Sequence, residues 1–497
     1  MRNPSKIFLS STSTIYEFRT LLISVALLKV ALLFVLPLTG DEAYFIYWGQ
    51  SLAWGYYDHP PAVGWLTYAM GQLADNLYWY RSFAYFGSIL IAWVLYRWLL
   101  EEGFEQDRAK LTAAIFWLSP ASLVFVLTTN DTVLVVTGVV GAYLFSRSIR
   151  GTDYFSAFGA GAFLALAFLS KYFAAFMVMG LMAYIAFNWK NISKGHLAVT
   201  ALVALLGPLE NLYFNYTHCW NNILFNFFSR TETGGFDWHN VSSFFLFLLI
   251  LMTPWGLFLY AKHWRSHGQS INSLWWFASL PLFFVVFIVS FSNETGIHWL
   301  LLGAAILYGT VAKLPEKALK SWFRWNGYSA IIILAVGAIS ILNISALMDK
   351  KPKDLALYLE PEAVCSQLPS GIMFTTDYSS QSALAYHCQN DDIHVFNSRS
   401  KFGREDDKRI DFSSLDGQSL TVLLIKNNDM PKIASYFKNI DIKTLNPVLN
   451  TEYLLVNGNV FNYAQYRKDV IEKNINDYYT PPDWLAELMP GASCSIR

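Results

Sequence analysis

The sequence predicts a mainly α-helical protein that crosses a membrane many times and ends in a small α/β domain. Of its 497 residues, 54% are hydrophobic and only 14% are charged, whereas soluble domains carry roughly 25% charged residues. Apolar runs near the length of a bilayer crossing recur as far as Leu347. After Asp349 the composition becomes mixed and polar.

The apolar runs define the expected membrane helices. The first, Leu21 to Leu38, follows a polar start and precedes no small-residue cleavage site, so we expect an uncleaved membrane helix. Together the runs predict about eleven crossings. The later ones are Ser82–Leu100, Leu111–Leu127, Thr132–Ser148, Phe155–Ser170, Phe173–Phe187, His196–Phe214, Ser243–Tyr260, Leu274–Phe291, Trp299–Val311 and Tyr328–Leu347.

Basic residues orient these helices. With the N-terminus inside, almost all lysines and arginines of the connecting segments fall inside, and the outer segments hold only Arg81, Lys171 and Arg230. This asymmetry is the positive-inside pattern of membrane proteins. An odd number of crossings then places the C-terminal domain on the outer side.

The chain is expected to divide into a membrane part, 1–348, and a polar domain, 349–497. A helical pattern covers Ser379 to His387. Cys365 and Cys388 form either a disulfide or two free thiols, and no cysteine pair has the CxxC spacing of zinc or redox sites. The domain has four β-like runs, Ile372–Thr376, Ile393–Asn397, Leu420–Ile425 and Tyr453–Val456.

The first outer loop, residues 39–81, opens on an acidic pair, Asp41-Glu42. Aromatic residues follow, and helical spacing predicts an interfacial helix from Ala43 to Ala53 with Phe45, Trp48 and Leu52 on one face. Two interpretations of the acidic pair stay open. The carboxylates act as a base or bind a cation, or they form a solvated cap at the helix N-terminus.

Later in this first loop, Pro60-Pro61 is expected to end any helix and to keep the loop extended. Further candidates lie on other outer segments. Asp131 is either a site residue or an ordinary N-cap of the following helix. Lys171 is either a phosphate contact or a snorkelling side chain. His298 is either a donor to a sugar or phosphate or a structural histidine.

Several classes of protein find no support. The counts of 36 basic and 36 acidic residues argue against a nucleic-acid partner. The sequence contains no Walker, GxGxxG, HExxH or GxSxG element, so nucleotide hydrolysis and cofactor redox chemistry are not predicted. The residues define no metal site, and a divalent cation as cofactor stays an open alternative.

Taken together, these motifs resemble a known family. Asp41-Glu42-Ala43-Tyr44 and Tyr56-Tyr57-Asp58-His59-Pro60-Pro61 resemble the first periplasmic loop of glycosyltransferase family 39 and its bacterial relatives. That group includes the protein O-mannosyltransferases and the lipid A aminoarabinose transferase. Asn130-Asp131 resembles the family's Pro-Asp turn, with Asn in place of Pro, and Asp377-Tyr378 resembles the start of its periplasmic domain.

The resemblance implies a GT-C membrane fold in the inner membrane, with a periplasmic C-terminal domain. It implies a polyprenyl-phosphate-sugar donor and an acceptor that is lipid A, another glycolipid or glycan, or a protein. Asp41 matches the catalytic acidic residue and Asp131 a second acidic residue. His59 stands where the aminoarabinose transferase has a donor-contacting Lys, and Asp58 where it has Glu. The expected substrate-binding residues are Glu42, Tyr44, Tyr57, Asp58, His59, Arg81, Lys171, Arg230 and His298.

Two other functions compete with this one. A transporter or flippase of lipid-linked sugars should carry ionisable residues inside its spans, where this chain has only Lys29 and Glu210. A non-catalytic receptor or scaffold should tolerate Asp41→Asn without loss. The nature of the sugar does not follow from the sequence.

Overall fold

The computed structural model describes residues 12–230, 235–264, 273–344, 355–425 and 429–488. Most of them are helical. The principal helices up to residue 342 are α1 (Thr12–Val35), α2 (Gly40–Gly49), α3 (Ala62–Gly71), α4 (Leu77–Glu101), α5 (Gln106–Trp117), α6 (Pro120–Leu123), α7 (Asn130–Ile149), α8 (Tyr154–Ser170), α9 (Ala174–Asn188), α10 (Lys194–Ala204), α11 (Leu206–Thr217), α12 (Trp238–Met252), α13 (Pro254–Lys262), α14 (Leu274–Val289), α15 (Leu301–Leu307) and α16 (Glu316–Leu342).

Five described helices are long and apolar enough to cross a bilayer, and the bent pair α12 and α13 would make a sixth. The five are Tyr16–Val35, Leu77–Glu101, Asn130–Ile149, Lys194–Thr217 and Glu316–Leu342. Three shorter apolar helices, Tyr154–Ser170, Leu274–Val289 and Ile297–Lys313, also lie on predicted spans. The multi-pass membrane character is therefore confirmed, whereas helix length and composition do not establish eleven crossings.

Chain contacts divide the protein into two compact units. The first consists of residues 1–36, 74–209 and 233–342, and the second of residues 37–73, 210–232 and 343–497. The second unit therefore contains most of the predicted first outer loop as well as the C-terminal segment.

Side chains within the first unit satisfy backbone groups where its helices break. The predicted span Leu111–Leu127 is interrupted after Trp117. Across this break the fully buried Lys29 donates hydrogen bonds to the carbonyl and hydroxyl oxygens of Ser122, at 2.9 and 2.8 Å. Asn326 donates to the Ile115 carbonyl at 2.9 Å. Because exposed backbone groups are costly in a bilayer, these contacts make the interruption tolerable.

In the second unit, the C-terminal segment forms a five-stranded mixed sheet in the order β2-β1-β3-β5-β4. β1 pairs in parallel with β2 and β3, whereas β5 pairs antiparallel with β3 and β4. The strands are β1 (Met373–Thr375), β2 (Ile393–Val395), β3 (Leu420–Leu424), β4 (Phe437–Thr444) and β5 (Leu454–Phe461). The small α/β domain is confirmed.

Helices cover this sheet and continue beyond it. They are α17 (Leu355–Leu359), α18 (Pro361–Cys365), α19 (Tyr378–Cys388), α20 (Met430–Ala434), α21 (Tyr463–Tyr466) and α22 (Asp483–Leu488). The predicted helix 379–387 is α19, and a disulfide joins its last residue, Cys388, to Cys365. The disulfide interpretation of this pair is confirmed.

Candidate active site

Asp41 lies in the first turn of α2, and its side chain is exposed. The helix begins after Thr39, whose hydroxyl oxygen accepts the Glu42 backbone N–H at 3.3 Å. Thr39 therefore supplies the N-cap, and the acidic pair occupies the positions where the helix dipole favours negative charge. Glu42 is completely buried, so the interpretation of both residues as a solvated cap is wrong for Glu42.

Helix α2 differs from the predicted interfacial helix in its bounds. It ends at Gly49, so Leu52 lies outside it and is 57% exposed, while Phe45 and Trp48 are buried. A Cβ on Gly49 would meet the Thr67 hydroxyl at 2.5 Å, which shows how closely α2 and α3 cross. The prediction that Pro61 is extended is wrong. Pro61 has helical dihedral angles and directly precedes α3, a position that its fixed φ suits.

The buried face of α2 contacts a charged turn at residues 404–408 of the C-terminal segment. The Tyr44 hydroxyl accepts the Glu405 backbone N–H at 3.1 Å. The Tyr47 hydroxyl donates to the Asp406 carboxylate at 3.0 Å. These bonds satisfy buried polar groups that would otherwise cost free energy, and they fix the helix that carries Asp41.

The segment after α2 is fixed by the same turn. The Tyr57 backbone N–H donates to the Glu405 carboxylate at 2.7 Å, and the Asn226 amide donates to the Asp58 carbonyl at 2.8 Å. Tyr57 is fully buried and Asp58 is 7% exposed. The Asp58-His59 motif is thus held by backbone contacts on two sides.

The Asp58 carboxyl group is electrostatically unusual. The pKa of Asp58 is raised from 3.8 to about 7. The largest cause is burial, and the second is the nearby negative charge of Glu405. The Gly403 N–H, the positive charge of Arg230 and the Tyr44 hydroxyl lower this pKa in part. A carboxyl group balanced in this way can hold or release a proton near neutral pH.

His59 and Arg230 border the same part of the second unit. The half-buried His59 ring stands edge-on to Trp48 and Phe225, with ring centres 6.3 and 6.5 Å apart. Arg230 follows a π-helical segment, Leu224–Ser229. The structure therefore brings together Tyr44, Tyr57, Asp58, His59 and Arg230.

In the first unit, Asp131 and Lys171 form a buried ion pair. The Lys171 ammonium lies 2.7 and 2.9 Å from the two Asp131 carboxylate oxygens. Asp131 is not the N-cap of α7, because Thr129 caps that helix through a reciprocal bond with Thr132. Nor does Lys171 snorkel, because the residue is only 4% exposed.

His298 and Arg81 also belong to the first unit. The His298 ring nitrogen lies 3.9 Å from an Asp131 carboxylate oxygen, and the side chain is 45% exposed. Arg81, expected at the end of the outer loop, lies instead within α4 and is fully buried. Its guanidinium donates to the Leu33 and Leu36 carbonyls at 2.9 and 2.7 Å, where α1 ends and its carbonyls lack intrahelical partners.

The sequence prediction missed two residues of the second unit that contact the candidates. Tyr378 donates a hydrogen bond to Asp41 at 3.1 Å, and Glu405 contacts the Tyr57 backbone. A signal for Glu405 was available in the sequence, because it belongs to the charged run Arg404-Glu405-Asp406-Asp407-Lys408-Arg409. Such a run is costly to bury unless its side chains have specific partners.

Within the described ranges, no three His, Cys, Asp or Glu side chains are grouped so that they could hold a metal ion.

Three comparisons place this architecture among known proteins. Residues 58–214 match the family model described as dolichyl-phosphate-mannose-protein mannosyltransferase. The chain is 27% identical over 183 residues to the lipid A galacturonosyltransferase RgtD of Rhizobium johnstonii. That match covers 36% of this chain and 38% of RgtD, so it spans little more than a third of the relative's length.

Two crystal structures of ArnT from Cupriavidus metallidurans have the same fold. One is bound to undecaprenyl phosphate and one is in the apo state, with TM-scores of 0.65 and 0.64. Each match covers 90% of this chain and 98% of ArnT at 12% sequence identity. The chain therefore shares the fold of these ArnT structures. The resemblance stated from the sequence is confirmed by the matches to the mannosyltransferase family model, to RgtD and to ArnT.

Proposed function

We propose that the protein is a membrane glycosyltransferase that moves a sugar from a polyprenyl-phosphate donor to an envelope acceptor. The acceptor is lipid A, another glycolipid or glycan, or a protein. The observation that carries this proposal is the exposed Asp41 carboxylate, fixed by Tyr378 at the start of α2. The name of RgtD, a lipid A transferase, and the undecaprenyl phosphate bound to ArnT support this choice of substrates.

In the proposed reaction, Asp41 acts as the general base. Its carboxylate takes the proton from the acceptor hydroxyl as the hydroxyl oxygen forms a bond to the sugar carbon. The bond from that carbon to the phosphate oxygen breaks, and the polyprenyl phosphate leaves with the electron pair. Asp131 is proposed as the second acidic residue, with its negative charge balanced by Lys171.

The leaving phosphate needs cationic or hydrogen-bonding partners. Among the predicted substrate-binding residues, we assign this role to His59, Arg230 and His298. Lys171 and Arg81 are assigned supporting roles, because the first pairs with Asp131 and the second binds helix carbonyls. Glu42, Tyr44, Tyr57 and Asp58 are proposed to shape the binding region from the second unit.

The proposal also specifies the location. We infer about eleven crossings of the inner membrane, a membrane domain 1–348 and a periplasmic domain 349–497. The shorter apolar helices among the described residues support additional crossings. The excess of basic residues in the expected inner segments supports this orientation.

A transporter of lipid-linked sugars is the second candidate function, and Glu210 favours it. This residue lies in the candidate span Lys194–Thr217. Both carboxylate oxygens are buried and have no hydrogen bond within the described ranges. Ionisable side chains inside membrane helices often mark transport pathways.

The decisive experiment uses the full chain in proteoliposomes with a polyprenyl-phosphate-sugar extract and purified lipid A. We expect release of polyprenyl phosphate and a mass increase in lipid A, both abolished in Asp41→Asn. The matched control is Asp391→Asn, an exposed carboxylate that accepts a bond from Gln50, and it should retain activity. Wild-type rates in Asp41→Asn would remove the proposed base, and donor movement without turnover would favour the transporter.

A further inference from the structure

Tyr378, from the C-terminal segment, contacts the carboxylate proposed as the base. Its hydroxyl donates to Asp41 Oδ1 at 3.1 Å, although the two residues are 337 positions apart in the chain. Both belong to the second compact unit. Within the described residues, this is the side-chain hydrogen bond that the Asp41 carboxylate accepts.

The position of the Tyr378 ring is restrained by the residues around it. Asp377 caps α19 by accepting the Ser380 backbone N–H at 2.9 Å, which fixes the helix end that carries Tyr378. The Tyr378 ring packs against the Tyr44 ring with centres 4.8 Å apart. On another side, a Cβ on Gly403 would meet the Tyr378 ring at 2.0 Å, so glycine permits this close approach.

The direction of the hydrogen bond follows from the charges. The pKa of the Tyr378 hydroxyl is raised above its usual range, mainly by partial burial and secondly by the negative charge of Asp41. The phenol therefore keeps its proton at neutral pH and acts as the donor, while the carboxylate accepts.

From this geometry, and resting on the proposed function, we propose that Tyr378 is a positioning residue for Asp41. An exposed aspartate side chain samples several rotamers. The hydrogen bond fixes one carboxylate oxygen and leaves Oδ2 to receive the acceptor's proton. Because small displacements of a catalytic group cost large factors in rate, the C-terminal segment would contribute to turnover without touching the reacting atoms.

The kinetic test compares Tyr378→Phe with Tyr386→Phe, a change of the same size on the same helix. In the proteoliposome assay, we expect Tyr378→Phe to lower kcat about tenfold, the scale of one hydrogen bond to a charged group. The KM for the donor extract should change less than about twofold, because the bond does not reach the substrate. Equal kcat in the two variants would overturn the proposal, as would an effect confined to KM.

A second measurement needs no turnover. 3-Fluorotyrosine at position 378 of the full chain gives a ¹⁹F resonance that reports the contact directly. We expect Asp41→Asn to shift this resonance and Asp391→Asn to leave it unchanged. An unmoved resonance in Asp41→Asn would overturn the positioning role. A shifted resonance with wild-type turnover in Asp41→Asn would instead remove Asp41 as the proposed base and leave only the contact standing, whereas a shifted resonance in a wild-type chain that turns over no donor would remove the proposed function.

Discussion

The Lys171 ammonium lies within 2.9 Å of both carboxylate oxygens of Asp131, and neither side chain is more than 10% exposed. Such a pair costs desolvation energy when it forms, but removing one partner leaves an uncompensated buried charge.

Asp131→Asn should therefore destabilise the solubilised protein by about 3 kcal/mol. The double variant Asp131→Asn with Lys171→Met removes both charges and should recover most of the loss. Thermal unfolding in one detergent measures both effects. If Asp131→Asn alone were as stable as the wild type, the ion pair between Asp131 and Lys171 would not be intact in the detergent-solubilised protein.

Asp58 should make stability depend on pH. Its pKa is 3.8 as an unperturbed group and about 7 in the folded protein, so the folded state holds a proton that the unfolded chain has released. The stabilisation from that proton is complete below about pH 4 and is lost as the pH rises through about 7. The stability of Asp58→Asn minus that of the wild type should therefore increase from about pH 4 to about pH 7 and stay constant at higher pH.

Unfolding temperatures of the full chain from pH 4 to 8 check this expectation. Asp441→Asn, on the exposed strand β4, is the matched control and should follow the wild-type curve. Parallel curves for wild type and Asp58→Asn would contradict the raised pKa of the Asp58 carboxyl group.

Arg81→Lys distinguishes a helix-terminus role from a phosphate contact. One guanidinium nitrogen of Arg81, Nη1, donates both bonds to the Leu33 and Leu36 carbonyls, and the ammonium at the end of the shorter lysine side chain does not reach the position of that nitrogen. We expect a loss of about 2 kcal/mol in stability and an unchanged KM for the donor. Arg97→Lys, on the same helix, is the control. A raised KM with unchanged stability would instead restore the substrate-binding role predicted from sequence.

The disulfide between Cys365 and Cys388 should stabilise the C-terminal segment, because it closes a loop with a sequence separation of 23. Replacing both cysteines with alanine should cost about 3 kcal/mol in the loop-entropy model. Hydrogen exchange of the sheet amides in the full chain measures the loss, with Ser366→Ala as the neighbouring control. Exchange rates equal to the control would show that the sheet holds this loop without the bond.

Sequence periodicity predicted the elements whose signal is local. Each predicted span overlaps a helix, and four of the five strands among the described residues overlap predicted β-like runs, although the run Tyr453–Val456 covers only the start of β5. β4 was missed because its pattern Lys-Asn-Ile-Asp-Ile-Lys lies at an exposed edge and carries little apolar signal. The break in the span Leu111–Leu127 has a local signal in Pro120, which the prediction did not use; its side-chain partners, Lys29 and Asn326, lie far away in the chain and could not be predicted locally.

The candidate residues show the same limit. Asp41, Asp58 and Asp131 were predicted from their motifs, but their partners depend on chain folding. Tyr57 and Glu405 are 348 positions apart, and Lys171 was not predicted to pair with Asp131. No local pattern encodes such pairs, since each is brought together only by packing of the compact unit that contains it.

The second compact unit draws on three separate stretches of chain, and its largest, residues 343–497, follows the other two in the sequence. During synthesis and export, α2 emerges early, whereas Tyr378 and Glu405 follow more than 300 residues later. Asp41 therefore lacks its hydrogen-bond donor until the chain has been made as far as Tyr378. The geometry proposed for the base would thus be completed late in biogenesis, by a segment made long after the helix that carries the base.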